Sequence, residues 1–177
     1  MQQKFGLDLY NYKLFGGTYV KNPKSEIKLI YNAYNGYLTF EGEYLNGKKN
    51  GKGKEYYNDK IIFEGEYKNG IKNGKGKEYD YEGKLIYEGE YLNGKKWKGN
   101  FKNYCKNGKL IFEGEYLNGE INGKGKEYYY NGELEFEGEY LNGKKWNGKG
   151  YFQDNIIYEI KNGNCFIKEY DDYKLKI

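Results

Sequence analysis

The sequence predicts an all-β protein: an elongated single antiparallel sheet of stacked β-hairpins, open and twisted as a ribbon. Three observations predict it. The motif Phe40-Glu41-Gly42-Glu43-Tyr44 returns at Phe63–Tyr67, Tyr87–Tyr91, Phe112–Tyr116 and Phe136–Tyr140, with starts 23, 24, 25 and 24 residues apart. A fixed period of this length marks a repeat architecture. Within each copy apolar and charged residues alternate, as in a half-buried strand. The chain also carries 24 Tyr and 27 Gly in 177 residues. Rings suit a pleated surface, and each Gly in a helix interior costs about 1 kcal/mol relative to Ala.

The repeats fill the chain. Residues 1–14 form an N-terminal cap segment, and units start near 15, 40, 63, 87, 112 and 136. A degenerate repeat and C-terminal cap occupy 158–177. The copy at Phe15-Gly16-Gly17-Thr18-Tyr19 and the one at Tyr158-Glu159-Ile160 are worn, as expected of repeats that must face water.

The first strand of a unit is clearest at 133–141. Leu134, Phe136, Gly138 and Tyr140 fall on one face; Glu133, Glu135, Glu137 and Glu139 fall on the other. Residues 142–148 then read as a Gly- and Asn-rich loop. The second strand is seen at 123–130, and Asn131-Gly132 closes it. Asn-Gly between alternating strands is the strongest short hairpin signal, because both residues tolerate positive φ. Asn107-Gly108, Asn58-Asp59 and Glu82-Gly83 take the same place in other copies.

The glycines predict close packing. Gly138 lies between Phe136 and Tyr140, and Gly123 and Gly125 recur in the second strand. Rings from adjacent strands are expected to lie over these gaps. The other face pairs Glu113 and Glu115 with Lys124 and Lys126. Counting by two from Gly125 puts Glu127 on the ring side, so a bulge or strong twist is expected there. Cys105 and the inserted Trp97 make the 87–111 unit one residue longer than most, and the insertion is expected in the loop. At about 4.8 Å per strand the ribbon would be about 65 Å long.

Composition excludes several classes. Leu, Ile, Val and Phe make up only about a fifth of the chain, at the edge of the disordered range. A net charge of +4 and the abundance of Tyr argue for folding. There is no His, and Ser25 is the lone Ser, so neither the usual base near neutral pH nor a Ser–His pair is present. Cys105 and Cys165 lack a second Cys at zinc-ligand spacing. No enzyme, metal or cofactor is expected. Residues 1–8 lack a signal-peptide apolar run, and two Cys suit a reducing compartment. The expected location is cytoplasmic, with membrane-peripheral placement as the variant.

The pattern aromatic-x-Gly-x-aromatic, two residues, Gly, three residues, Gly-x-Gly is met by Phe63, Gly65, Tyr67, Gly70, Gly74 and Gly76. The copies from Phe40 to Gly53 and from Phe112 to Gly125 also meet it, and the 136 copy matches with one extra loop residue before Gly148 and Gly150. In the 87 copy Asn100-Phe101 replaces the final Gly-x-Gly. This resembles the MORN repeat family over about residues 15–165. The resemblance implies an extended antiparallel sheet that serves as a protein-interaction scaffold, and the family name records a proposed contact with phospholipid head groups. Some relatives add a lipid kinase or lysine methyltransferase domain, for which this chain has no room left. A variant class of the repeat occurs in bacterial antitoxin-like inhibitors.

Two candidate surfaces follow. The first is an aromatic face made of Phe40, Tyr44, Phe63, Tyr67, Tyr87, Tyr91, Phe112, Tyr116, Phe136 and Tyr140. It reads either as core or as an open docking surface for a protein partner or a homodimer, with the sheet edges at the ends as a further docking surface for an added strand or a second copy. The second is a row of loop lysines, Lys48-Lys49, Lys95-Lys96 and Lys144-Lys145, beside Trp97 and Trp146. It reads either as a solvated edge or as a contact for an anionic membrane. Gly143 to Lys149 spells a phosphate-loop pattern, but it lacks the hydroxyl residue and the strand–loop–helix setting. Nucleic acid is not expected, because Arg is missing and Glu nearly balances Lys.

Overall fold

The computed structural model describes residues 12–15, 17–21, 27–167, 170–171 and 174–175. Most of the expected N-terminal cap, Ser25 and much of the C-terminal cap lie outside the described residues. Among the described residues the regular structure is all strand. β1 (Tyr12–Phe15), β2 (Thr18–Lys21) and β3 (Ile27–Asn32) lead into the regular hairpins. These are β4 (Leu38–Leu45) with β5 (Lys48–Tyr57), β6 (Lys60–Lys68) with β7 (Ile71–Tyr79), and β8 (Leu85–Leu92) with β9 (Lys95–Tyr104). They continue as β10 (Leu110–Leu117) with β11 (Glu120–Tyr128), and β12 (Leu134–Leu141) with β13 (Lys144–Phe152). β14 (Asn155–Lys161) and β15 (Asn164–Ile167) follow, and β16 (Tyr170–Asp171) pairs separately with β17 (Lys174–Leu175). β1 to β15 hydrogen-bond in chain order without a crossover, and the strands of every described pair are antiparallel.

At most hairpins the tight turn stands at the opposite end from the one the sequence predicts. The tight two-residue turns are Asn46-Gly47, Asn69-Gly70, Asn93-Gly94, Asn118-Gly119 and Asn142-Gly143, all with positive φ at both positions. That is the backbone a two-residue hairpin requires. The expected loop 142–148 is therefore a turn followed at once by β13. At Asn131-Gly132 only Gly132 has positive φ. The Tyr129 N–H donates to the Glu133 carbonyl, which leaves three residues in the connection. Asp80–Lys84 and Cys105–Lys109 repeat that geometry. Asn58-Asp59 is a two-residue turn, as expected.

The second strands are uneven in length. Opposite Glu43, β5 carries Asn50, Gly51 and Lys52, a bulge of two extra residues. Gly51 sits at φ 88°, and a Cβ there would run into the Glu43 carboxylate. That carboxylate accepts the Lys52 N–H at 3.1 Å. Gly74 with Glu66, and Gly123 with Glu115, repeat the arrangement. In β13 the bulge shrinks to Trp146 alone, because Tyr140 faces Lys145 and Glu139 faces Asn147. Gly148 thus lies opposite Gly138 as Gly53 lies opposite Gly42. The 136 copy is one residue short before that glycine, not one long. Trp97 likewise lies inside β9 and not in a loop.

By contact density the chain divides into two units, residues 1–85 with 90–95, and residues 86–89 with 96–177. In the first unit Gly42, Gly53, Gly65 and Gly76 face one another across successive strands. Val20, Phe40, Phe63, Tyr67 and Tyr91 are buried there. In the second, Gly114, Gly125, Gly138 and Gly148 form the matching row, and Tyr87, Phe112, Phe136 and Tyr140 are buried.

Candidate functional site

The aromatic face is closed. Phe63 is completely buried. Its ring lies where a Cβ on Gly65 or Gly76 would stand, 2.7 and 2.8 Å from those positions. Tyr67 and Tyr91 meet it edge-on at centroid distances of 5.6 and 5.3 Å. The Lys72 ammonium covers the outer side, 3.8 Å from the ring centroid. Phe40 is enclosed in the same way by Gly42, Gly53, Tyr44, Tyr67 and Lys49. In the second unit Gly138, Gly148, Tyr140, Tyr158 and Lys145 enclose Phe136. Of the ten rings expected on this face, Tyr44 and Tyr116 are half-buried and the rest are buried. They form a core, not an open docking surface. The reason is local: paired glycines let each ring sink onto the backbone, and a lysine stem roofs it.

The lysine pairs are split by the strand geometry. Lys48, Lys95 and Lys144 are exposed, whereas Lys49, Lys96 and Lys145 are half-buried. Lys49, Lys96 and Lys145 lie 4.1, 5.0 and 4.4 Å from the centroids of Phe40, Tyr87 and Phe136. Once Asn-Gly is the turn, these residues open β5, β9 and β13, and consecutive residues point to opposite faces. The roofing position continues at Lys72, so Ile71-Lys72 keeps the half-buried lysine, and Ile121 replaces it only in the 112 copy. Trp97 and Trp146 remain partly exposed beside the turns.

Sequence reasoning missed the acid that holds these lysines. Glu55 and Glu127 stay on the ring side, and the expected irregularity near Glu127 comes after it, between Glu127 and Tyr128. That shift sets Leu134 opposite Tyr128 and moves it off the ring face. Lys145 pairs with Glu127 at 2.7 Å, and the Tyr140 hydroxyl donates to the same carboxylate at 2.7 Å. Lys49 and Lys72 both reach Glu55, at 2.9 and 3.2 Å. Burial alone would raise the Glu55 carboxyl, but the Lys49 hydrogen bond and the two ammonium charges outweigh it and hold the group below its usual value. The Tyr67 hydroxyl is buried without a hydrogen bond of good geometry. Burial and then the neighbouring Glu55 push it well up.

The opposite face is charged, and its glutamates take up tyrosine hydroxyls in both units and lysines in the second. In the first unit the Tyr56 and Tyr79 hydroxyls donate to Glu41 and Glu64 at 2.9 and 2.7 Å. In the second unit Tyr128 and Tyr151 donate to Glu113 and Glu137, both at 2.8 Å. Lys102 pairs with Glu113 and Lys126 with Glu137, at 3.4 and 3.6 Å. A shallow, open groove in this unit runs along Gly114, Gly125, Gly138 and Gly148 between these Lys and Glu rows.

Exposed apolar side chains stand at both ends of the hairpins: Tyr57 and Tyr81 at the other connections of the first unit, Tyr130 and Phe152 at those of the second, and a further set beside the Asn-Gly turns. In the first unit Leu45, Ile71 and Leu92 are exposed beside Lys48 and Lys95. In the second, Leu141, Trp97 and Trp146 are exposed beside Lys144. Leu45 lies directly across from Lys48, and Leu141 from Lys144. The turns are fixed to the preceding hairpin. The Gly70, Gly94 and Gly143 N–H groups donate to the carbonyls of Lys49, Lys72 and Ile121 at 2.8, 2.9 and 2.9 Å. Asn50 and Asn73 accept from the backbone of the next turn. Among the described residues no cluster of Asp, Glu and Cys is arranged to hold a metal ion. The phosphate-loop pattern at Gly143–Lys149 is turn and strand. No described helix is long and apolar enough to cross a membrane.

The MORN repeat family model matches residues 40–60, 63–84, 87–97 and 112–133. The chain belongs to the MORN repeat family. Each of these MORN matches begins at the first ring of an enclosed aromatic cluster, Phe40, Phe63, Tyr87 or Phe112. The hairpin from Phe136 follows the last of them with the same ring-on-glycine packing. No curated protein matches the chain.

Proposed function

We propose that this MORN repeat protein is a non-catalytic scaffold that holds a protein partner along the turn edge of its hairpins. One observation carries the reading. The rings are buried, while leucines recur exposed beside the tight turns, a repeated apolar row that a partner can grip. Leu45, Leu92 and Leu141 occupy one position of the repeat, and each has an exposed lysine close by. Apolar anchors with a charged rim are what a protein interface uses. The edge is also held by turn-to-strand hydrogen bonds, which lowers the ordering cost of binding.

The test is a triple variant, Leu45→Glu with Leu92→Glu and Leu141→Glu, compared with the native chain in capture from a native lysate. All three side chains are exposed, so the variant is expected to fold and melt as the native protein does while losing the captured partner. Equal retention by both proteins would contradict the reading. The exposed Lys48 and Lys95 of the first unit, and Lys144 beside Trp146 in the second, support a second occupant, an anionic phospholipid surface, at about 1 kcal/mol per Lys. Binding by the native chain to acidic vesicles at low salt, lost at high salt, would favour that occupant over a protein.

A further inference from the structure

We infer that Asn46 and Asn118 are the hairpin-turn sites at which this protein deamidates spontaneously. The six tight turns Asn46-Gly47, Asn69-Gly70, Asn93-Gly94, Asn118-Gly119, Asn142-Gly143 and Asn162-Gly163 share one sequence and one backbone, with φ near 50° at Asn and between 76° and 96° at Gly. Glycine leaves the approach to its own nitrogen unshielded, so sequence alone makes all six equally reactive. The structure separates them. The reaction needs the glycine nitrogen as nucleophile, and in four turns that nitrogen is engaged. Gly70, Gly94, Gly143 and Gly163 donate to the carbonyls of Lys49, Lys72, Ile121 and Trp146 at 2.8 to 2.9 Å. Among the described residues Gly47 and Gly119 make no such bond; in the 118 turn the Asn118 N–H, not the glycine, reaches the Trp97 carbonyl at 2.7 Å. Asn46, Gly47, Asn118 and Gly119 are all exposed. A Cβ on Gly47 or Gly119 would meet no atom within 4 Å, so there is room for the turn to reach the cyclic geometry.

Hydroxide or buffer base takes the glycine N–H proton, and the nitrogen attacks the Asn side-chain carbonyl carbon. A new C–N bond closes a five-membered imide, the original carbon–nitrogen bond of the side-chain amide breaks, and ammonia leaves with the proton. Water then opens the imide at either carbonyl, giving aspartate or isoaspartate. At position 46 the new carboxylate stands next to exposed Lys48, and an isoaspartate link adds a methylene to a turn that has only two residues.

The native protein is held in mildly alkaline buffer and sampled over days. Peptide mass spectrometry then reads amide loss at each turn, and isoaspartate-specific methyl transfer reads the rearranged link. Asn46 and Asn118 are expected to convert several-fold faster than Asn69, Asn93, Asn142 and Asn162, and the difference should vanish in denaturant. Equal rates across the six turns in the native protein, or no conversion at Asn46 and Asn118, would overturn the inference.

Discussion

Replacing Phe63 by Ala is expected to lower stability by about 3–5 kcal/mol. The ring is fully buried, sits on the backbones of Gly65 and Gly76, and receives the edges of Tyr67 and Tyr91. Nothing can collapse into the space it leaves, because its floor is main chain held in the strand ladder. The loss extends beyond one side chain. Lys72 would stand over a void while still paired to Glu55. Phe63→Leu retains part of the volume and is expected to cost less. Chemical denaturation of the three proteins checks the order. Tyr81→Ala, at an exposed connection, serves as control and should change little.

Gly65→Ala is expected to damage the protein as severely, although it adds a single methyl. The added carbon would stand 2.6 Å from the Lys75 carbonyl oxygen, 2.7 Å from Gly76 Cα and 2.7 Å from the Phe63 ring. Two of these neighbours are backbone and cannot swing aside. Overpacking of a core commonly costs about 1–3 kcal/mol and more where relaxation is blocked; here the strand pair must separate or the ring must leave. Gly83→Ala is the useful contrast. Its surroundings are open, but φ 90° strains any side chain, so its cost comes from the backbone alone. Thermal melting of the two variants should place Gly65→Ala clearly below Gly83→Ala.

These effects explain what the sequence could and could not show. The strand pattern, the repeat and the ring-over-glycine packing were legible because alternation and Gly spacing write them directly. The hairpin ends were misassigned, because Asn142-Gly143 competes with Asn131-Gly132 for the same turn signal and only the backbone tells them apart. That one choice decides the fate of the lysines. With the turn at Asn142-Gly143, Lys145 points at Phe136 and Lys144 at solvent, so half of the expected basic edge becomes the roof of the core. The Glu127 that holds Lys145 was visible by counting, but an acid on a ring face looked like an error of register until its partners were seen. Whether the rings would be covered was not legible, because the cover combines a lysine of the ring's own hairpin with a tyrosine of the next.

The central claim is that the rings are closed inside their own sheet, and an alkaline titration of tyrosine tests it most directly. Burial first, then the hydrogen bonds to Glu41, Glu113 and Glu137, push Tyr56, Tyr128 and Tyr151 up to about 12 from an ordinary 10.0. Tyr67 and Tyr140 are raised further by burial and by Glu55 and Glu127. A raised folded-state pKa contributes stability that is complete below the unfolded value and is lost as pH rises through the folded one. Stability should therefore fall steeply from about pH 10 upward. Near-ultraviolet absorbance should show the ring-face tyrosines Tyr67 and Tyr140 ionising last, after the charged-face group at about 12, and together with loss of the β-sheet circular dichroism. A single reversible ionisation of all tyrosines near 10.0, with the sheet intact, would contradict the claim and return the aromatic face to solvent and to partners.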